Sequence, residues 1–147
     1  MADASSPPAD LNGKWQLVRN DNFDAYLKSV DIGLIKRKMI NSMTPVVEME
    51  QNGDDFKVTA KIPVAGPIVS TFKVGVEFTD SNPMMGGRDE KRVLAEWRGC
   101  KLVHTVVSAP KDKPMSIERE IVDGELVITM TNGDVVAKRY FKKLPSQ

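Results

Sequence analysis

The chain has 147 residues, a net charge of +1, and 28% charged against 41% hydrophobic residues. That is one domain's length, enough for a sizeable core or an enclosed cavity, and its near-neutral balance excludes a strong field for nucleic acid or an anionic membrane. The single cysteine, Cys100, excludes an internal disulfide and fits a reducing compartment.

In chain order, residues 1–10 are small, polar and proline-bearing, which predicts a mobile tail without the apolar segment of a secretory signal. Residues 13–19 carry Trp15 and Leu17 on one face of a first strand, and Asn20, Asp21 and Asn22 offer helix caps. Phe23, Tyr26, Leu27 and Val30 fall at helical spacing; Gly33 interrupts it, Leu34, Ile35, Met39 and Met43 resume it, and Pro45 ends it. Lys28, Lys36, Arg37 and Lys38 on this helix pair read as a solvated surface, or else as a surface that touches membranes.

Strand signals then dominate. Residues 46–50 and 56–62 flank Asn52-Gly53-Asp54, a hairpin turn. Pro63 and Gly66-Pro67 mark a loop or strand edge. Residues 68–72, 74–78, 92–97 and 101–107 read as further strands, with turns at 81–87 and 109–114.

The last thirty residues are the clearest. Residues 115–121, 125–131 and 135–141 are strands joined by Asp-Gly and Asn-Gly turns. Alternation places Ile117, Arg119 and Ile121 on one face of the first, and Val135, Ala137, Arg139 and Phe141 on one face of the last. Both arginines thus sit on the more apolar face, where a guanidinium costs several kcal/mol unless an acceptor meets it. Either an anion is held inside, or internal carboxylates and ordered water satisfy them.

About ten short strands with one early helix pair predict an all-β protein, a closed barrel or a sandwich. Neither a nucleophile–base pair nor clustered carboxylates can be found, so no catalytic residue is assigned. His104 and Cys100 lack the motif of a metal site, and no cofactor is implied.

Several pieces together resemble the intracellular lipid-binding proteins, the family of fatty-acid-binding and cellular retinoid-binding proteins. They are Gly13-Lys14-Trp15 through Asn22-Phe23 to Leu27, Arg37-Lys38, Asn52-Gly53-Asp54, Phe72 to Phe78, Lys101-Leu102-Val103, Arg119-Glu120-Ile121 with Asp123-Gly124-Glu125-Leu126, and Asp134 to Arg139. They run in family order over residues 11–144.

The resemblance implies a ten-stranded antiparallel up-and-down β-barrel with a helix–turn–helix lid, formed by residues 11–147. It implies a monomeric, non-enzymatic carrier of a long-chain fatty acid or of retinoic acid, cytoplasmic and also able to deliver to membranes or to the nucleus. The ligand carboxylate would meet Arg119 and Arg139, with the greater weight on Arg119. The family's Arg-x-Tyr motif reads Arg139-Tyr140-Phe141 here, so Phe141 stands where the tyrosine hydroxyl would be. Retinol binders of the family tend to carry glutamine at both arginine positions, so two arginines point to an acid. Tyr26, Met39, Phe72, Val74, Ile117 and Ile121 are expected as cavity wall, whereas Trp15 and Phe23 are expected as plain core. Lys28, Arg37 and Lys38 are the expected membrane-facing cations of the lid. Access is expected between the lid and the turns near Val64 and Met84.

Overall fold

The computed structural model describes residues 7–62, 66–80 and 90–145, Ile62 by its backbone alone. Two helices interrupt ten strands: β1 (Gly13–Asp21), α1 (Phe23–Ser29), α2 (Leu34–Asn41), β2 (Val46–Asn52), β3 (Asp55–Ile62), β4 (Gly66–Lys73), β5 (Phe78–Asp80), β6 (Lys91–Arg98), β7 (Lys101–Val106), β8 (Met115–Val122), β9 (Glu125–Asn132) and β10 (Val135–Lys143). They form one sheet in the order β4-β3-β2-β1-β10-β9-β8-β7-β6-β5. Every pairing is antiparallel, and β1 joins the two ends of the chain by pairing with both β2 and β10.

Local chemistry sets the register. At the β8–β9 hairpin Val122 faces Glu125, so only Asp123 and Gly124 make the turn, at φ 52° and 80°. Two consecutive positive φ values match the right-handed twist of the flanking strands, and Asp-Gly adopts them cheaply. In β1 the pairing runs Leu17 to Phe141, then Arg19 to Tyr140 and Asn20 to Arg139. Val18 is therefore an extra residue, a bulge, and beyond it the faces of the strand exchange.

The interior is filled from all ten strands and from α1. Trp15, Leu17, Phe23, Tyr26, Leu27, Phe56, Phe72, Leu126 and Phe141 belong to one buried cluster. Ala9 packs on the core, and its carbonyl accepts from Gln51 Nε2 at 3.0 Å. Leu11 is fully buried, and its carbonyl accepts from Trp15 Nε1 at 3.1 Å. Residues 1–6 lie outside the described residues, as do Pro63, the expected turns near Val64 and Met84, and the whole of 81–87.

Three local expectations need correction. Asn22 precedes α1 in a left-handed conformation and makes no side-chain cap; its Nδ2 instead donates to the Val136 carbonyl at 2.9 Å, pinning the lid to β10. Residues 74–78 are not a strand: Val74–Glu77 turn, with Val74 N bonded to Asp54 O and Gly75 N to Ala95 O, and β5 begins only at Phe78. In α2 no residue is fully buried: Ile40 packs against the core from a half-buried position, whereas Leu34, Ile35 and Met39 are exposed. Helix α1, by contrast, is clamped to the barrel: Asn132 Nδ2 donates to Ser29 O at 3.1 Å and to Ser29 Oγ at 3.2 Å. No helix among the described residues is long and apolar enough to cross a membrane.

Candidate functional site

Cross-strand pairing aligns Asn20, Arg139, Ile128, Arg119, Leu102 and Trp97 in one row over six strands. Directly opposed residues share a face, and for this row it is the inner one. Arg119 and Arg139 both line an internal cavity of about 100 Å³, together with Val47, Val58, Ala60, Ile68, Ser70, Phe72, Asp80, His104, Ile117, Ile128, Met130 and Phe141. A wider groove of about 700 Å³ opens on the surface beside Asn12, Asp55 and Phe56 and includes neither arginine.

Each guanidinium is tied at one nitrogen and open at another. Arg119 Nη1 lies 3.3 Å from His104 Nδ1. Since guanidinium only donates, Nδ1 is the acceptor and the imidazole is neutral, with its proton on Nε2. Burial, and secondarily the Arg119 charge, push His104 well below its ordinary pKa. Arg119 Nε is buried with no hydrogen-bond partner among the described residues. Arg139 Nε donates to Asn20 Oδ1 at 2.9 Å, and Arg139 Nη2 is buried without a partner among the described residues.

Burial also lowers both guanidiniums to a pKa of about 10, with the Asp80 charge opposing the shift at Arg119. Both are therefore cations at neutral pH. Arg139 lies over the Phe23 ring, its Cζ 3.9 Å from the centroid, and 5.6 Å from that of Phe141. Phe23 is buried, as expected for core, yet it is also the floor beneath a charged group.

The expected wall is only partly assembled. Phe72, Ile117 and Phe141 line the cavity. Tyr26 is fully buried in α1, stacked against Phe23 with centroids 6.5 Å apart, and is not among the lining residues. Val74 packs against the core from its turn, outside the lining. Met39 is 42% exposed because α2 turns Ile40, not Met39, to the core, and Ile121 is 37% exposed because the pairing of β8 with β7 ends at Arg119.

Of the lid cations, Lys28 and Lys38 are exposed. Arg37 is not a free surface charge: Nε meets Asp24 Oδ1 at 3.1 Å, Nη1 donates to the Ile32 carbonyl at 2.9 Å, and its side chain is 14% exposed.

Four polar residues of the site escaped the sequence reading. His104, Ser70 and Asp80 line the cavity, and Asn20 holds Arg139. His104 shares the inner face of β7 with Leu102 and Val106, and a polar residue at that parity was a usable signal. Ser70 Oγ and Asp80 Oδ2, 3.4 Å apart, reach across between the free edges β4 and β5. Among the described residues no group of three or more His, Cys, Asp or Glu side chains is placed to hold a metal ion.

The model of the lipocalin / cytosolic fatty-acid binding protein family matches residues 12–143. The chain is 36% identical over 130 residues to the muscle fatty acid-binding protein of Schistocerca gregaria, covering 88% of this chain and 92% of that protein. It is 33% identical over 138 residues to sodium/calcium exchanger regulatory protein 1 of Doryteuthis pealeii, covering 92% and 98%. Among solved structures, the REP1-NXSQ fatty acid transporter superimposes with a TM-score of 0.84 at 27% identity, over 94% of this chain and 98% of that one. The ten-stranded barrel with its helical lid is the fold the resemblance implied, and the chain belongs to the lipocalin / cytosolic fatty-acid binding protein family.

Proposed function

We propose that the protein is a non-enzymatic carrier of a long-chain fatty acid, with the carboxylate at Arg119 and Arg139 and the tail along the apolar wall. The observation that carries this is the pair of inward guanidiniums, each with a buried nitrogen that lacks a partner among the described residues. A carboxylate offers two oxygens to such donors in charge-assisted bonds, which a neutral alcohol cannot match. The similarity to a muscle fatty acid-binding protein and to a fatty acid transporter supports the same cargo.

Burial of the tail supplies most of the affinity. At about 0.8 kcal/mol per CH₂, a chain of about sixteen carbons returns roughly 12 kcal/mol before ordering costs. The cavity of about 100 Å³ has room for only a few water-sized molecules around the arginines, and a long tail needs more room. The interior therefore widens on loading. The flexible side chain of Met130 in the wall and α2, none of whose residues is fully buried, are the parts able to give.

Delivery to membranes is assigned to the exposed residues Leu34, Ile35 and Met39 of α2 together with Lys28 and Lys38, a small apolar and basic surface on the lid. Cytoplasmic residence belongs to the same proposal and is supported by the match to a family of cytosolic fatty-acid binding proteins.

Arg119→Gln tests the head-group assignment. Oleate affinity should fall by well over about tenfold while a neutral retinol analogue loses less. Equal loss for both ligands would refute the assignment. Retinoic acid carries the same head, and direct competition against oleate decides which acid is preferred.

A further inference from the structure

We propose that Asn20 is a positioning residue: it fixes the guanidinium of Arg139 without neutralising it, so that the positive charge is left for the anionic head of the cargo. The inference rests on the carrier reading above and extends it to a residue that the cargo itself need not touch.

The bulge at Val18 puts Asn20 there. Trp15 and Leu17 face inward from the first half of β1, and unbroken alternation would bring Arg19 inward next. Arg19 would then oppose Arg139, setting two cations side by side in the interior. The extra residue instead sends Arg19 outward, over the Tyr140 ring at 3.8 Å and beside Glu125 at 3.4 Å. Asn20 takes the inward place opposite Arg139.

Asparagine suits that place for a definite reason. Arg139 Nε can only donate, so Asn20 must present Oδ1, and the 2.9 Å separation is that of a good hydrogen bond. The amide carries no net charge. Among the described residues Arg139 forms no ion pair, and its lowered pKa has burial as its only resolved cause. With Nε committed to Asn20 and one face of the guanidinium on Phe23, the Nη edge remains, and Nη2 there is sealed and unmet among the described residues. Arg119 is arranged the other way, with Nη1 tied to neutral His104 and Nε open. An aspartate at position 20 would make the Arg139 bond at least as well, but it would be an internal counter-ion competing with the cargo.

That contrast gives the test. Asn20→Asp, Asn20→Ala and Arg139→Gln are compared with wild type for oleate affinity, oleyl alcohol affinity and ligand-free melting temperature. Asn20→Asp should melt about 3 °C or more above wild type, because a buried cation has gained a partner. It should also bind oleate at least about tenfold more weakly, with oleyl alcohol within about twofold. Asn20→Ala should bind oleate about threefold or more weakly and melt below wild type. A merely structural asparagine predicts the opposite for aspartate: stability kept and oleate affinity unchanged. Asn20→Asp binding oleate as wild type does, or melting no higher, overturns the inference. If Arg139→Gln discriminates against oleate while Asn20→Asp does not, the carrier reading stands and only the role of Asn20 falls. If wild type ignores oleate altogether, both fall.

Discussion

Phe72 and His104 meet edge to face with ring centroids 4.5 Å apart, and this contact ties the free edge strand β4 to the polar end of the cavity. Phe72 also stacks on Phe56 at 5.2 Å and on Phe78 at 5.3 Å. Strands β4 and β5 are not paired, so these rings replace part of the backbone ladder that would otherwise close the barrel. Phe72→Ala should destabilise the protein by about 3–5 kcal/mol in urea unfolding, because a buried ring is deleted and three aromatic neighbours lose contact at once. Hydrogen exchange of β4 and β5 should accelerate more than that of β9. A loss below about 1 kcal/mol would mean that the edges are held by something else.

His104 gives a pH dependence whose sign is fixed. The unfolded chain takes up a proton at His104 below about pH 6.5. In the fold, burial and the neighbouring Arg119 keep the ring neutral well below that point. The unfolded state therefore binds more protons as pH falls through this window. Stability is lost on acidification below about 6.5 at up to about 1.4 kcal/mol per pH unit. His104→Gln can still accept from Arg119 and cannot titrate, so its stability should fall less steeply between about pH 6.5 and 5. Parallel slopes for the two proteins would show that His104 does not carry the effect.

Arg119 and Arg139 both have Ile128 as their cross-strand partner, so they stand two strands apart, about 10 Å between backbones. Long side chains leaning inward from that separation can share one anion. The double-mutant cycle with Arg119→Gln and Arg139→Gln, read in oleate affinity, should therefore be non-additive by about 1 kcal/mol or more. The same cycle read with oleyl alcohol should be additive within about 0.5 kcal/mol. Additive losses of oleate affinity would instead show that the two arginines act on the ligand independently, without sharing one anion.

The barrel could be read from the sequence because its signals are local. Asp123-Gly124 fixes a hairpin by itself, and strict alternation in β8 and β10 put Arg119 and Arg139 on the inner face without any knowledge of the other strands. Tertiary choices could not be read this way. No local feature at Val18 signals a bulge, so Asn20 looked like one of three equivalent helix caps when it is the partner of Arg139. Val74 has a strand former's side chain, yet backbone bonds from Asp54 and Ala95 draw its segment into a turn. Parity gave Ile121 the correct face but not the fact that β7 covers β8 only as far as Arg119. Helical spacing in α2 announced an apolar stripe, and periodicity carries no information on whether a stripe is covered.

That uncovered stripe leads to a further expected outcome. Ile35 is 80% exposed and Leu34 58%, so both contribute little packing to the free protein. The hydrogen bonds that hold α2 by its side chains run to Asp24 and to the Ile32 carbonyl, from Arg37 and Asn41. Ile35→Asp should therefore change stability by no more than about 0.5 kcal/mol, as at other exposed positions. If α2 is where the protein meets a bilayer, Ile35 buries its side chain there, an interaction worth about 1.5–3 kcal/mol. Transfer of a fluorescent fatty acid to phospholipid vesicles should then slow by about tenfold or more in Ile35→Asp, and ligand affinity should be unchanged. Neutralising Lys28 and Lys38 should weaken only the salt-sensitive part of the rate, since exposed charges act through a screened field. Transfer at the wild-type rate in Ile35→Asp would show that cargo leaves through solvent, with the exposed face of α2 playing no part in delivery.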